Sequence, residues 1–150
     1  MKEITVDTNV VVYAIEQGDP DACEFLHGHM RRNRIVLDLE EHIHQEYQRQ
    51  FKNKGQSERR FWKWWIDVSS KADRCVRYTS KPYADDKEKF VRVGFSPKDW
   101  KFAAVCSRSA DKILVSEDTD FNCVREYLEN KRGVSIKKVD QILSELRGRE

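Results

Sequence analysis

The sequence predicts an α/β fold in which a central, mostly parallel sheet is covered by helices on both faces. Two observations lead there. Short apolar, β-branched segments alternate with segments of helical periodicity along the chain. The strand candidates lack a polar face, as in parallel sheets buried on both sides. A length of 150 residues suits one domain (residues 1–150) with a single sizeable core.

The elements follow in order. Ile4 to Val6 reads as a short strand, and Thr8 to about Gln17 as a helix with Val11, Ala14 and Ile15 inward. Gly18-Asp19-Pro20 stops it; Asp19 can cap the next helix, with Pro20 at its first position. Ala22, Phe25, Leu26 and His29 then share a helical face, and Arg34 to Leu39 is a buried strand. Glu40 to about Asn53 is helical, with Ile43, Tyr47 and Phe51 inward; Ser57 is the expected cap of a helix through Ser70. Its inner face is Phe61, Trp64, Trp65 and Val68. Cys75 to Thr79 is a strand, and the polar, aperiodic stretch from Ser80 to Gly94 reads as a long loop. Ser96-Pro97 opens a helix to about Ser109 that is apolar nearly all round and therefore buried, with Trp100 and Phe102 in the core or an interface. A strand at Lys112–Ser116, a helix at Phe121–Asn130, a strand at Val134–Lys137 and a helix from about Val139 complete the pattern.

Composition narrows the function classes. Charged residues at 36% against 39% hydrophobic argue for a folded chain rather than a disordered one, and the apolar runs are too short to span a bilayer. Met1-Lys2-Glu3-Ile4 leads straight into a strand, so no signal peptide is expected, and a cytoplasmic location is the expectation that the scattered cysteines add. Cys23, Cys75, Cys106 and Cys123 lie far apart, as reduced and mostly buried thiols do. A net charge of +2 means that nucleic-acid affinity has to come from local patches.

The chemistry lies in the acids. Asp7 ends the first strand, and Asp118 and Asp120 follow the strand at Lys112–Ser116. Asp99 opens the helix leading into that strand, and Glu46 lies on the helix after the second. Each has an ordinary reading: Asp7 and Asp120 as helix caps, Asp99 in the capping-box spacing Ser96-Pro97-Lys98-Asp99, Glu46 as an exposed partner of Arg49. Together they converge on the crevice outside the carboxyl ends of parallel strands. Carboxylates gathered without basic partners repel one another and are stabilised by a divalent cation.

Val6-Asp7-Thr8-Asn9 resembles the opening motif of PIN-domain ribonucleases. Glu46-Tyr47 looks like their helical acid, Asp99 before Ala103-Ala104 is similar to their third, and Ser116-Glu117-Asp118-Thr119-Asp120-Phe121 resembles their terminal motif. Two departures are Leu37-Asp38-Leu39, where many relatives carry a small hydroxyl residue, and Glu41, the alternative helical acid. The resemblance implies a PIN-like three-layer α/β/α sandwich and one or two Mg²⁺ or Mn²⁺ ions. It implies Asp7, Asp99 and Asp118 as principal ligands, Glu46 acting through water or orienting the nucleophile, and Asp120 as an accessory ligand. Asn9 and Ser116 are expected to hydrogen-bond these acids. The implied activity is an endoribonuclease on RNA, with an antitoxin protein and a homodimer as expected partners of a small free-standing chain.

The segment from Tyr47 to Trp64 is basic and aromatic, with Arg49, Arg59, Arg60 and Trp62 as RNA contacts or, alternatively, a solvated helix face. His29 reads as a satisfied, partly buried side chain, and His42 as either exposed or bordering the site. Two other functions compete: a catalytically silent RNA- or protein-binding module, and an Asp7-nucleophile phosphatase. The phosphatase wants an acid where Asn9 stands. No nucleophile elbow supports a serine or cysteine hydrolase.

Overall fold

Strands of three to five residues, rich in Ile, Val and Leu, cannot hide their faces alone and pair edge to edge. The computed structural model describes residues 1–148. Strands β1 (Glu3–Val6), β2 (Arg34–Asp38), β3 (Cys75–Tyr78), β4 (Ile113–Val115) and β5 (Ser135–Lys137) form one sheet in the order β3-β2-β1-β4-β5. Every pairing is parallel, because each strand is reached through a helical crossover. The helices are α1 (Thr8–Ile15), α2 (Pro20–Cys23), α3 (His42–Phe51), α4 (Gln56–Ser69), α5 (Ala84–Val93), α6 (Trp100–Arg108), α7 (Asn122–Arg132) and α8 (Val139–Arg147). This is the expected three-layer α/β/α sandwich. None of the helices is long and apolar enough to cross a membrane.

The order places the topological switch between β1 and β4, where the chain, having run outward through β2 and β3, returns to build the other half. Val6 lies in register with Val115, so the residues after them leave the sheet side by side. Helix α6 is buried from Phe102 through Ser107, as its all-round apolar sequence predicts. Between α3 and α4 the core is aromatic: Phe51 stacks on Phe61 at 4.9 Å, and Tyr47, Trp64 and Trp65 are buried beside them. That packing fixes the face that α3 turns to β1; the Tyr47 hydroxyl donates to the Val6 carbonyl.

Three expectations need correction. Residues 84–93, read as loop, form α5. Its inward positions are Asp86 and Phe90, so one of the two buried side chains is charged and the apolar period disappears from the sequence. Asp86, 2% exposed, accepts from Arg132 Nε at 2.9 Å and from the Tyr127 hydroxyl at 2.7 Å, which clamps α5 to α7. Ser57 does not cap α4; Gly55, at φ 56°, precedes the helix and Ser57 lies in its first turn. Cys123 is exposed and Cys23 half-buried, leaving Cys75 and Cys106 as the buried thiols. Asp19 caps α2 through the Ala22 N–H at 3.0 Å, with Pro20 in the first turn, as read. Beyond α2 the chain winds through a π-type turn, Glu24–Gly28, and a 3-10 turn, His29–Arg32, and His29 is buried against Glu24 at 3.3 Å.

Candidate functional site

The parallel register of β1 and β4 sets the first contact. The Asp7 N–H donates to the Val115 carbonyl at 2.9 Å, carrying the pairing one residue past the strand. The Ser116 hydroxyl, at the end of β4, donates to Asp7 Oδ2 at 2.7 Å, and Asp7 Oδ1 accepts from the Thr8 N–H at 2.8 Å. Asp7 therefore does cap α1, through the first helical N–H, and is also drawn to β4. Ser116 Oγ in turn accepts from the Asp118 N–H at 2.9 Å, so one hydroxyl positions both acids.

Asp99 closes a short 3-10 turn, Pro97–Asp99, before α6. The capping box suggested by its spacing does not form, since the Ser96 side chain makes no capping bond. Asp99 is 5% exposed, and its Oδ2 is buried without a hydrogen-bond partner. Such an orphan costs stability in native proteins and points to a missing partner.

Glu46 reaches the same place from α3. Its Oε2 accepts from the Thr8 hydroxyl and its Oε1 from Lys101 Nζ at 2.7 Å, so its ionic partner is Lys101 rather than Arg49. Asp7, Glu46, Asp99 and Asp118 all line one crevice of about 390 Å³, with Asn9, Arg49 and Lys98 also in its wall.

The remaining candidates fall outside or take other roles. Asp120 is exposed, does not line the crevice and does not cap the following turn; Asp118 caps it, its Oδ1 accepting from the Asp120 N–H at 2.9 Å. Glu41 is exposed at the start of α3 with φ 65°, away from the crevice, which leaves Glu46 as the helical acid there. Asn9 bonds no acid; its side-chain oxygen accepts weakly from the Glu117 N–H at 3.5 Å and so steadies the loop after β4. His42 is exposed and absent from the crevice wall. Of the basic and aromatic candidates, only Arg49 lines the crevice. Arg59 is exposed, Arg60 donates to the Ile15 carbonyl at 3.3 Å, and Trp62 packs partly buried against Phe61 and His44.

Sequence reasoning missed Thr8, Lys98 and Lys101. Lys98 and Lys101 are three apart at a helix start, a spacing that lets them share a face but does not reveal which acid they meet.

Burial pushes the Asp7 carboxyl up to about 7; the Ser116 and Thr8 hydrogen bonds oppose this, and the charges of Asp99 and Glu46 add to it. Burial likewise raises Asp99 to about 6, opposed by Lys98 and Lys101 and aided by Asp118 and Glu46. Both acids thus sit in a field that disfavours their ionised forms. A hard divalent ion is the chemical group that reverses it.

The donor set fits such an ion on two counts, the unpartnered Asp99 oxygen and the mutual repulsion of the acids. Among the described residues no three His, Cys, Asp or Glu side chains form a ready-made ligand cluster.

No protein-family model matches the chain, and no curated protein matches it in sequence. Among solved structures, VapBC2 from Rickettsia felis, bound to a DNA fragment from their promoter, superposes with a TM-score of 0.61. The match covers 91% of this chain and 98% of that one at 16% identity, a likeness of fold. The shared architecture extends over nearly the whole of both chains.

Proposed function

We propose that the chain is a metal-dependent endoribonuclease that hydrolyses RNA phosphodiester bonds at the crevice of Asp7, Asp99 and Asp118. The observation that carries this reading is the buried, unpartnered Asp99 oxygen in the wall of a crevice shared with the acids that follow β1 and β4, Asp7 and Asp118. Asp7, Asp99 and Asp118 would hold Mg²⁺ or Mn²⁺. When bound, such an ion eases deprotonation of water and offsets charge on the phosphoryl oxygens. Ser116 holds Asp7 and the start of the Asp118 loop in place through its two hydrogen bonds. Glu46 is fixed by Thr8 and Lys101, and since each carboxylate oxygen has two acceptor sites it keeps capacity to orient the attacking water. Arg49 and Lys98 in the wall attract the phosphates that flank the scissile bond.

The fold neighbour, VapBC2 bound to promoter DNA, joins the sequence resemblance in supporting a toxin of a toxin–antitoxin pair, cytoplasmic and held by an antitoxin protein. A silent binding module is the second reading. It is favoured by one observation, that Lys101 already neutralises Glu46.

Incubation of end-labelled single-stranded RNA with Mn²⁺, Mg²⁺ or EDTA separates the two. The nuclease reading expects cleavage with either ion and none in EDTA; RNA that stays intact under every condition supports the module.

Arg49→Glu is expected to weaken RNA binding in EDTA by roughly tenfold and to lower its salt slope by about one. Arg59→Glu, remote from the crevice wall, should change affinity by less than about twofold under the same fluorescence-anisotropy titration. Equal effects would return RNA contact to the exposed face of α4.

A further inference from the structure

Among the described residues, Glu46 and Lys101 form the one tight ion pair at this crevice, and it divides the four acids unequally. Lys101 Nζ lies 2.7 Å from Glu46 Oε1 and also donates to the Lys98 carbonyl; its side chain is 12% exposed. The second Glu46 oxygen is taken by the Thr8 hydroxyl. Both oxygens of Glu46 are therefore engaged, and the ammonium is held from two sides. Asp7, Asp99 and Asp118 make no ion pair among the described residues, and the Asp99 Oδ2 has no partner at all.

Resting on the metal-dependent reading above, we infer that the crevice takes one divalent cation, and that Lys101 is a positioning residue whose ammonium stands where a second ion would bind. In two-metal sites the ions lie about 3.5–4 Å apart, and each needs carboxylate oxygens on its own side. Here Asp7, Asp99 and Asp118 hold no ion-paired ammonium among the described residues, Lys98 in the wall included, while Glu46 already holds that of Lys101. A lysine is a compact point charge with three donors, which suits it to bridging a carboxylate and a carbonyl in this way. Glu46 then acts through hydrogen bonds and does not ligate the ion.

Counting bound Mn²⁺ by electron paramagnetic resonance tests this without reference to activity. The wild type is expected to bind one ion per chain. Lys101→Met should bind two, with the spin–spin broadening of a close Mn²⁺ pair, while Lys101→Arg keeps the count at one. Glu46→Gln, which leaves the ammonium unpaired beside the crevice, should also bind one ion, several-fold more weakly. Two ions in the wild type, or a single ion in a folded Lys101→Met, overturns the inference and leaves the nuclease reading standing. Unchanged affinity in Glu46→Gln also overturns it, and this arm decides the matter if Lys101→Met does not fold. Wild-type protein that binds no Mn²⁺ removes the metal-dependent reading itself.

Discussion

Asp7→Asn is expected to lower Mn²⁺-dependent RNA cleavage by on the order of a thousandfold, about 4 kcal/mol of transition-state stabilisation, while making the metal-free protein more stable at alkaline pH. The two effects share a cause. Asp7 is 5% exposed, and its carboxyl is raised to about 7 from 3.8, first by burial and then by the charges of Asp99 and Glu46. A group whose folded-state pKa is raised favours the fold fully below its unfolded value. That contribution fades as pH rises between about 4 and 7. Above 7 the ionised Asp7 costs the metal-free fold on the order of 4 kcal/mol, which asparagine avoids. The amide is compatible with the site: its oxygen can accept from the Thr8 N–H, and its NH₂ can donate to Ser116 Oγ. Melting curves in EDTA should place Asp7→Asn above the wild type at pH 8 and close to it at pH 4. Mn²⁺ should raise the wild-type midpoint at pH 8 and leave that of the variant unmoved. A variant less stable than the wild type at pH 8, or one that still cleaves RNA, contradicts the role given to Asp7.

Arg132→Ala is the second large effect, and it acts on the fold. Removing the guanidinium leaves Asp86, 2% exposed, as a buried carboxylate with only the Tyr127 hydroxyl. Breaking one side of a buried pair costs about 3–5 kcal/mol. At this chain length that corresponds to a fall of roughly 10 °C in melting temperature. The Arg132 guanidinium also stacks 4.0 Å from the Tyr83 ring, opposite Arg108 at 4.1 Å, so packing ahead of α5 loosens as well. Lys131→Ala, which removes only the exposed 3.3 Å pair with Asp85, should barely move the transition. The paired change Arg132→Met with Asp86→Leu should recover most of the loss, because the clamp then needs no charge. Equal melting of Arg132→Ala and wild type would show that α5 is held by Phe90 alone.

Most of the sheet was legible because its strands are continuous apolar runs and each return segment carries a helical period. Ile4–Val6 and Ile113–Val115 could be read with no partner in view, and their ends brought Asp7 and Ser116 together as soon as parallel pairing was assumed. Glu46 was legible through Tyr47 and Phe51, whose burial fixes how α3 faces β1. Helix α5 was hidden because it buries Asp86, and the charge that erased its periodicity is the one that anchors it. The resemblance ranked Asp118 above Asp120, and the 3-10 turn Thr119–Phe121 leaves Asp118 in the crevice wall and Asp120 exposed. Lys101 carried no signal, since its meeting with Glu46 joins residues 55 apart and depends on α3 and α6 lying against each other.

The shared acid crevice is tested most directly by a crystal grown with Mn²⁺ and measured at the manganese absorption edge. An anomalous peak among the Asp7, Asp99 and Asp118 carboxylates, with Asp99 Oδ2 among its ligands, is the predicted result. Contradiction would be a crevice without a peak, or one in which the Lys98 or Lys101 ammonium has moved between those three acids.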